Sequence, residues 1–138
     1  MTTQPTRRVL VIDDDQELQD LVGVLLSSVG IEALPAKTAA EGAQILRTPP
    51  LPDLLVLDLM LPDVSGLELL RQIREKTFFD NLPVIILSAL ADPDQIREGL
   101  KAGADRYITK PYIASNLTTV VMEVLRTGRR KTPIASER

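Results

Sequence analysis

Three short segments of the chain, each at the end of a strongly apolar run, carry groups that could bind a metal ion and a phosphoryl group. Asp13 and Asp14 follow the first run, Asp58 follows the second, and Lys110 follows the third. Apolar runs of this length, bounded by turn-forming residues, are typical of strands buried on both faces of a parallel sheet. In open parallel α/β sheets the working groups collect beyond the carboxyl ends of the strands. The sequence therefore predicts a site of three carboxylates and one lysine at that edge.

The close spacing of the acidic residues predicts a cation between them. Taken singly, one of the aspartates at positions 13–15 can cap a helix, and Asp58 can form a turn. Two carboxylates about 4 Å apart repel by roughly 4 kcal/mol at an effective dielectric constant of about 20, a cost that is hard to justify structurally. A cation offsets this repulsion, and a ligand set made only of oxygen atoms favours Mg²⁺.

A serine and the lysine complete the set of strand-end residues. Ser88 closes the fourth apolar run, where by itself it could be a turn hydroxyl, and Lys110 by itself could be a solvated surface lysine. Together with the acidic residues, however, they mark the ends of four separate strands. This shared location favours a single site.

Composition excludes several classes of chemistry. The chain has 138 residues, enough for one domain with a sizeable core, and its net charge of −3 gives no overall attraction to nucleic acid or to an anionic membrane. It contains no cysteine and no histidine, which excludes disulfides, cysteine or histidine metal sites and Ser-His-Asp triads. Any phosphohistidine must therefore come from a partner. No stretch is apolar enough to span a bilayer and the first eight residues have no signal-peptide core, so we expect a cytoplasmic protein.

Strand-like and helix-like patterns alternate five times along the chain. The predicted strands are Val9–Ile12, Ile31–Ala36, Leu54–Leu57, Val84–Leu87 and Arg106–Thr109. The predicted helices comprise an apolar face made by Leu18, Leu21, Val22, Leu25, Leu26 and Val29, ended by Gly30, and the segments Thr38–Arg47, Ser65–Lys76, Asp94–Ala102 and Ser115–Arg126. This alternation predicts an α/β fold: a flavodoxin-like, doubly wound, five-stranded parallel sheet, (βα)5, with strand order 2-1-3-4-5.

The termini are predicted to lie outside the domain. Residues 1–7 are expected to form a flexible N-terminal tail, residues 8–127 the domain, and residues 128–138 a polar, basic tail or linker that is solvated. No second patterned segment follows the last helix, and the basic run of Arg126, Arg129, Arg130 and Lys131 lacks periodicity and aromatic residues. We therefore expect no direct nucleic acid binding by these residues and no membrane contact.

The motifs resemble the receiver domain of two-component response regulators, of the chemotaxis-regulator type, from about Arg8 to Arg126. Residues 11–15 (VIDDD) resemble the acidic pair of that family, and residues 57–66 (LDLMLPDVSG) resemble its phosphoacceptor segment. Residues 103–111 (GADRYITKP) resemble the signature of the fifth strand, and Ser88 stands where the family carries Ser or Thr. Ser88 lies 30 residues and Lys110 lies 52 residues after Asp58, spacings that the family also shows.

The resemblance implies a Mg²⁺-dependent phosphoacceptor. Asp58 would accept a phosphoryl group from the phosphohistidine of a partner, either a sensor histidine kinase or a histidine phosphotransfer protein. Asp13, Asp14, Asp58 and the main-chain carbonyl of Met60 would hold the metal ion, with Asp13 acting partly through water. Such a domain catalyses its own phosphorylation and dephosphorylation, but it serves as a signalling switch and not as an enzyme.

The resemblance also assigns roles to the residues around the phosphoacceptor. Lys110 and Ser88 would contact the phosphoryl oxygens, and Ser88 together with Tyr107 would switch the face formed by helix 4, strand 5 and helix 5, although Tyr107 alone looks like a half-buried strand tyrosine. This face would signal to a downstream protein target or to a covalently attached output domain. Met60 and Leu90 occupy the two positions that modulate the phosphoryl lifetime, and neither side chain can hydrogen-bond a hydrolytic water, which suggests slow self-dephosphorylation.

Two other classes of protein fit the sequence less well. Phosphatases of the haloacid-dehalogenase type also use an aspartate nucleophile and Mg²⁺, but they place a second acid two residues after it, where this chain has Met60. A phosphorylation-independent pseudo-receiver would be an interaction module only. The presence of the acidic pair, Asp58, Ser88 and Lys110 argues against that alternative.

Overall fold

The computed structural model describes residues 6–110 and 113–130, without the side chains of residues 113–115. In these ranges five strands alternate with five helices. The strands are β1 (Arg8–Ile12), β2 (Glu32–Ala36), β3 (Leu54–Leu57), β4 (Val84–Ser88) and β5 (Arg106–Thr109). The helices are α1 (Gln16–Ser27), α2 (Ala39–Leu46), α3 (Gly66–Glu75), α4 (Pro93–Ala102) and α5 (Ile113–Thr127), and a short 3₁₀ helix, Thr77–Phe79, follows α3. None of the helices in the described ranges is both long and apolar enough to cross a membrane.

The sheet is parallel throughout and confirms the predicted topology. Its strands are ordered β2-β1-β3-β4-β5. The ends of neighbouring strands are in register: Ile12 pairs with Leu57, and Ser88 pairs with Thr109. The residue that follows each strand therefore lies at one common edge of the sheet.

Two apolar layers enclose the sheet, because successive side chains along a buried strand point to opposite faces. Residues Leu10, Ile12, Leu55, Leu57 and Ile86 face α2 and α3, whereas Val9, Val11, Leu54, Val56, Ile85 and Leu87 face α1 and α5. All of these side chains are at most 1% exposed. Full burial of each aliphatic side chain contributes roughly 1.5–3 kcal/mol, so the strands are held from both sides and their ends are firmly placed.

Helix α1 buries less of its apolar pattern than the sequence predicts. Leu21 and Val29, which we expected on the inner face, are 40% and 38% exposed, and Gln19 is buried instead. The helix ends at Ser27, and Gly30 lies in the following turn with a φ of 79°. The positive φ confirms that a glycine is needed where the chain leaves α1 for β2.

The segment after α5 also differs from its prediction. Arg129 and Arg130 were expected to be part of a solvated tail, but both hydrogen-bond to the buried carboxylate of Asp105. The prediction is wrong for these two residues, because charge attraction to a buried acid does not depend on the periodicity by which helices and strands are recognised. Residues 131–138, most of the predicted tail, and residues 1–5 lie outside the described residues, so the domain limits stay a prediction.

Gly66 allows α3 to begin directly against the segment that follows β3. The N–H of Gly66 donates to the carbonyl of Leu59 at 2.9 Å, and the hydroxyl of Ser65 caps the helix by accepting from the N–H of Leu67. A Cβ atom at position 66 would overlap the main-chain carbonyl of Asp58. Only glycine permits this approach without a shift of the backbone around Asp58.

We expect Gly66→Ala to lower the free energy of unfolding by about 1–3 kcal/mol, because the added methyl group must displace backbone atoms. Gly23→Ala is the matched control. No atom beyond its immediate surroundings lies within 4 Å of a Cβ built at Gly23, which is in α1. This control should instead raise stability by about 0.5–1 kcal/mol through helix propensity. Urea unfolding measures both changes, and a Gly66→Ala protein as stable as the parent would contradict the packing described here.

Candidate functional site

The acidic residues after β1 and β3 meet at the carboxyl edge of the sheet. Asp13 and Asp58 are 2% and 5% exposed, and main-chain hydrogen bonds beyond the strand ends hold both residues. Asp14 lies beside them and is exposed to solvent. A carboxylate oxygen from each of the three lies within 4.8 Å of those from the other two. The structure thus brings together the three carboxylates that the sequence predicts to share a site.

Helix capping does not account for this cluster. Asp15 is the N-cap of α1, and its carboxylate accepts from the N–H of Glu17 at 3.0 Å and of Leu18 at 3.3 Å. Asp13 accepts from the N–H of Asp15 at 2.9 Å, which fixes the turn between the strand and the helix. One aspartate therefore caps the helix, and Asp13 and Asp14 remain for other chemistry.

Lys110 places its ammonium group between the two buried carboxylates. Its Nζ lies 3.0 Å from Oδ2 of Asp13 and 3.6 Å from Oδ2 of Asp58, so the shorter contact is to Asp13. The N–H of Lys110 donates to the carbonyl of Ser88 at 2.9 Å, which joins the ends of β4 and β5. The ammonium can therefore follow negative charge from one carboxylate to the other while its backbone stays fixed.

Burial and hydrogen bonds shift the pKa of Lys110 in opposite directions, and likewise that of Asp13. Burial lowers the pKa of Lys110, but the hydrogen bond to Asp13 and the charge of Asp58 outweigh it and hold the pKa above its usual value. Burial raises the pKa of Asp13, the hydrogen bonds from Asp15 and Lys110 lower it, and the net shift is upward. One lysine thus does not fully offset the cost of burying Asp13 beside Asp58. An additional cation fits this edge, and hard oxygen ligands suit Mg²⁺.

Ser88, Leu90 and Tyr107 are linked in a chain of hydrogen bonds that runs away from the carboxylates. Ser88 is fully buried, and its Oγ accepts from the N–H of Leu90 at 3.2 Å. The hydroxyl of Tyr107 donates to the carbonyl of Leu90 at 2.6 Å, and burial raises its pKa. A Cβ at Gly99 of α4 would lie 3.2 Å from the Tyr107 ring. The serine is therefore connected through the Leu90 loop to β5 and α4.

Met60 and Leu90, the two predicted lifetime positions, lie on the loops that flank the site. The Met60 N–H donates to Oδ1 of Asp58 at 3.2 Å, while the Met60 side chain is 58% exposed. The Leu90 side chain is half-buried against the core layer under α2 and α3.

Sequence reasoning missed two residues that position the site. The buried amide of Gln19 reaches the carbonyls of Val11, Asp13 and Ala36 at 2.9–3.1 Å, and so clamps the turn after β1. Nothing in the sequence distinguishes this glutamine from a solvated helix residue, because the reason for its burial is the set of carbonyls at the ends of two neighbouring strands.

The second missed residue is Asp63, which ties the loop after Asp58 to α2. Its carboxylate accepts from the N–H groups of Ala39 and Ala40, each at 3.0 Å, and these bonds, that of Ala39 first, lower its pKa. An acidic residue in a Pro-Asp turn is a recognisable signal, but the helix it caps lies more than 20 residues earlier in the chain, so the partner is visible only in three dimensions.

Known sequences resemble this chain over most of its length. A sequence profile of the response regulator receiver domain matches residues 9–122. The chain is 34% identical over 120 residues to the phosphate regulon transcriptional regulatory protein PhoB of Pseudomonas aeruginosa, an alignment that covers 87% of this chain and 52% of PhoB. It is 37% identical over 123 residues to the transcriptional regulatory protein AfsQ1 of Streptomyces coelicolor, covering 89% and 53%. The chain therefore spans about half the length of these curated relatives.

Solved structures share the fold. A CheY-like response regulator receiver domain protein from Methanospirillum hungatei superposes with a TM-score of 0.80 at 30% identity, covering 89% of this chain and 96% of that one. The receiver domain of the Francisella response regulator 1452 gives a TM-score of 0.80 at 34% identity, covering 88% and 98%.

We expect Asp14→Asn to stabilise the fold in metal-free buffer, because it removes one of three neighbouring negative charges. The gain should be on the order of 1 kcal/mol, since water screens this open side of the site. Asp14 is the better choice because Asp13→Asn also removes the ion pair with Lys110. The parent should gain stability from Mg²⁺, and the variant should gain less. Thermal melts with EDTA and with Mg²⁺ measure both effects.

Asp20→Asn provides the control for that experiment, because Asp20 is an exposed carboxylate on α1 whose hydrogen bond is to Gln16. It should leave the response to Mg²⁺ unchanged. A parent protein with no gain from Mg²⁺, together with an Asp14→Asn protein no more stable than the parent in EDTA, would contradict a shared site.

Proposed function

This chain belongs to the response regulator receiver domain family, and on that basis we propose that it is the phosphoacceptor switch of a two-component system in the cytoplasm. It takes a phosphoryl group from the phosphohistidine of a sensor kinase or a histidine phosphotransfer protein onto Asp58. The observation that carries the proposal is that Asp58 lies beside two further carboxylates and a lysine at the carboxyl edge of the sheet, at the ends of β3, β1 and β5. These 138 residues contain no histidine, so a phosphohistidine donor lies outside them.

Asp58 is the nucleophile in this proposal. A carboxylate oxygen forms a bond to the phosphorus atom, the bond from phosphorus to the donor imidazole breaks, and the imidazole leaves with the electron pair. Asp58 is held for this step because its Oδ1 accepts from the N–H of Met60 and its N–H donates to the carbonyl of Ile12. Little covalent chemistry remains for the protein, so positioning and charge neutralisation carry the catalysis.

The residues that would hold Mg²⁺ are Asp13, Asp14, Asp58 and the main-chain carbonyl of Met60. When bound there, the ion would neutralise the carboxylates and the phosphoryl oxygens, whose repulsion otherwise opposes the transfer. Lys110 would supply a second positive charge beside Asp58. Its ammonium, already within 3.6 Å of Asp58, has only a short distance to move to pair with a phosphoryl oxygen.

The switch begins at Ser88. In the structure its Oγ accepts a hydrogen bond from Leu90, which leaves the hydroxyl proton available to donate to a phosphoryl oxygen. If Ser88 moves toward the phosphoryl group, the Leu90 loop moves with it, and the hydrogen bond between Leu90 and Tyr107 changes. Tyr107 packs against Gly99, so the change reaches the α4–β5–α5 face. This face signals to a downstream protein target or to an attached output domain.

The lifetime of the phosphorylated state follows from the side chains at the two flanking positions. Met60 and Leu90 offer no group that could orient an attacking water, so we propose slow self-dephosphorylation. The relatives PhoB and AfsQ1 are named as transcriptional regulators, and this chain spans about half of their length. We propose that residues 1–138 themselves contact proteins and not nucleic acid, in keeping with their net charge of −3.

We expect incubation with Mg²⁺ and acetyl phosphate to add one phosphoryl group to Asp58 as an acid-stable, base-labile acyl phosphate. Asp58→Asn should abolish the adduct because the amide is a poor nucleophile. Asp20→Asn, a change at an exposed carboxylate on α1 whose hydrogen bond is to Gln16, should keep it. Intact-mass spectrometry measures the adduct, and equal adducts in the parent and Asp58→Asn would show that the assignment is wrong.

We expect Ser88→Ala and Lys110→Ala to accept the phosphoryl group, more slowly, yet to lose most of the conformational response. Each contact is a charge-assisted hydrogen bond worth roughly 1.5–3 kcal/mol. Changing the ratio of active to inactive conformation from 1:99 to 99:1 takes about 5.5 kcal/mol. The loss of either contact therefore leaves most molecules in the inactive conformation.

Amide NMR shifts around Tyr107 on addition of beryllofluoride, a phosphoryl mimic, measure this response. Thr109→Ala, which changes the residue paired with Ser88 in the sheet, should respond like the parent. A full response in both Ser88→Ala and Lys110→Ala would refute the roles proposed for these residues.

A further inference from the structure

Three arginines surround one buried acid at the edge of the sheet opposite to Asp58. Asp105 lies just before β5, and its side chain is fully buried. Its Oδ2 accepts from the N–H of Val84 at 2.9 Å and from Arg74 at 3.3 Å, and its Oδ1 accepts from Nε of Arg129 at 3.0 Å and from the N–H of Arg130 at 2.9 Å. Four donors thus use the four acceptor positions of one carboxylate. We call Asp105, Arg74, Arg129 and Arg130 the Asp105 cluster.

The same arginines also bind the main-chain carbonyls at the end of α4. Arg130 donates to the carbonyls of Leu100 and Ala104, both at 2.9 Å, and Arg129 donates to the carbonyl of Gly103 at 3.1 Å. The last carbonyls of a helix have no partner within the helix, and the helix dipole makes this end negative. A guanidinium group can donate hydrogen bonds to the unpaired carbonyls, and its positive charge is attracted to the negative end of the helix. These interactions explain why Arg129 and Arg130 bind here although no hydrophobic pattern directs them.

Gly128 turns the chain toward this position. It follows α5 with a φ of 78°, and its N–H donates to the carbonyl of Val124 at 2.7 Å. A left-handed residue directly after a helix reverses the direction of the chain and suits glycine. Gly128 therefore directs Arg129 and Arg130 back to the amino end of β5.

The cluster carries more positive than negative charge. Burial, and then the charge of Arg129, lower the pKa of Arg74 to about 10, and Asp105 opposes them. Arg74 remains charged at neutral pH, and Arg129 and Arg130 repel it. Their docking therefore depends on Asp105 and the α4 carbonyls holding their present relative positions.

We propose that the segment Gly128–Arg130 is a latch that couples α4 and β5 to the chain that follows Arg130. The inference rests on the proposed function, in which phosphorylation of Asp58 shifts Tyr107 and α4. Tyr107 on β5 lies two residues after Asp105, and Gly99, against which Tyr107 packs, precedes Leu100, whose carbonyl binds Arg130. A shift of α4 relative to β5 separates the groups that hold the two arginines, so the latch loosens and Gly128–Arg130 leaves its docked position.

The test follows the amide of Arg130, which donates to the carboxylate of Asp105 at 2.9 Å. In the 138-residue protein, hydrogen exchange by NMR should show this amide protected at least about tenfold relative to a free chain. Beryllofluoride with Mg²⁺ should reduce the protection by about threefold or more, because the bound state shifts the equilibrium of the latch.

Arg129→Ala and Arg126→Ala form the matched pair of variants. Arg126 is exposed on the last turn of α5, and its side chain makes no hydrogen bond or ion pair within the described residues. Arg129→Ala should bring the exchange of the Arg130 amide to the free-chain rate with and without beryllofluoride, while the amides of residues 58–60 and 88–90 still shift. Arg126→Ala should behave like the parent. Asp105 itself is left unchanged because it also holds the N–H of Val84.

Four outcomes would overturn the latch. An Arg130 amide that exchanges at the free-chain rate in the parent shows that the segment is not docked. Protection that beryllofluoride leaves unchanged, while the amides of residues 58–60 and 88–90 shift, refutes the coupling and leaves the proposed function standing. An absence of any shift at residues 58–60 and 88–90 overturns both proposals together. Equal effects of Arg126→Ala and Arg129→Ala would show that the docking of Arg129 is not responsible.

Discussion

The repulsion between buried carboxylates at the edge of the sheet is the interaction on which the rest of the structure depends. Asp13 and Asp58 lie side by side because Ile12 and Leu57 are paired in the sheet, and they are buried because apolar layers cover both faces of their strands. Left to themselves, these charges would move apart. The strongly apolar strands, a single lysine and the clamps around the adjoining turns keep them in place. Folding therefore holds the carboxylates close together at a cost in free energy, and a cation or a phosphoryl group bound as proposed above would relieve part of that cost.

The clamps around the turns show how a reactive edge can be rigid on one side and adjustable on the other. Gln19 and Asp63 hold the turns after β1 and β3 through main-chain groups, so the side of the site formed by the carboxylates varies little in position. Ser88 has a hydroxyl proton free to change partner, and Lys110 has a long flexible stem. The side of the site that lies over β4 and β5 is therefore the one that can respond. The groups that can move, Ser88 and Lys110, therefore lie on the side of the site near α4, while the carboxylates stay in place.

The sequence predicted the central strands and their shared edge from local pattern. The limits of β3 and β5 agree with their predictions, because continuous apolar runs and flanking turn residues mark buried strands. The grouping of acidic residues, serine and lysine followed from the rule that parallel strands end at one edge. Gln19 and the contacts of Asp105 could not be predicted, because their partners are main-chain groups whose positions exist only after the sheet is assembled. Leu21 was misplaced because it lies at the margin of the apolar stripe of α1, where periodicity does not distinguish covered from exposed positions.

The ion pair between Asp13 and Lys110 joins residues that are 97 positions apart in the chain. Because the pair needs a residue after β1 and a residue after β5, the site can be completed only once β5 has been synthesised. A nascent chain that has left the ribosome only as far as β3 already carries all three carboxylates, but it lacks the lysine, the serine and the two strands that would hold them. Since long-range pairings of this kind form late, a chain whose synthesis has not passed β5 carries the carboxylates but cannot yet form the complete site. Such incomplete molecules lack the arrangement that the proposed phosphoacceptor chemistry would need.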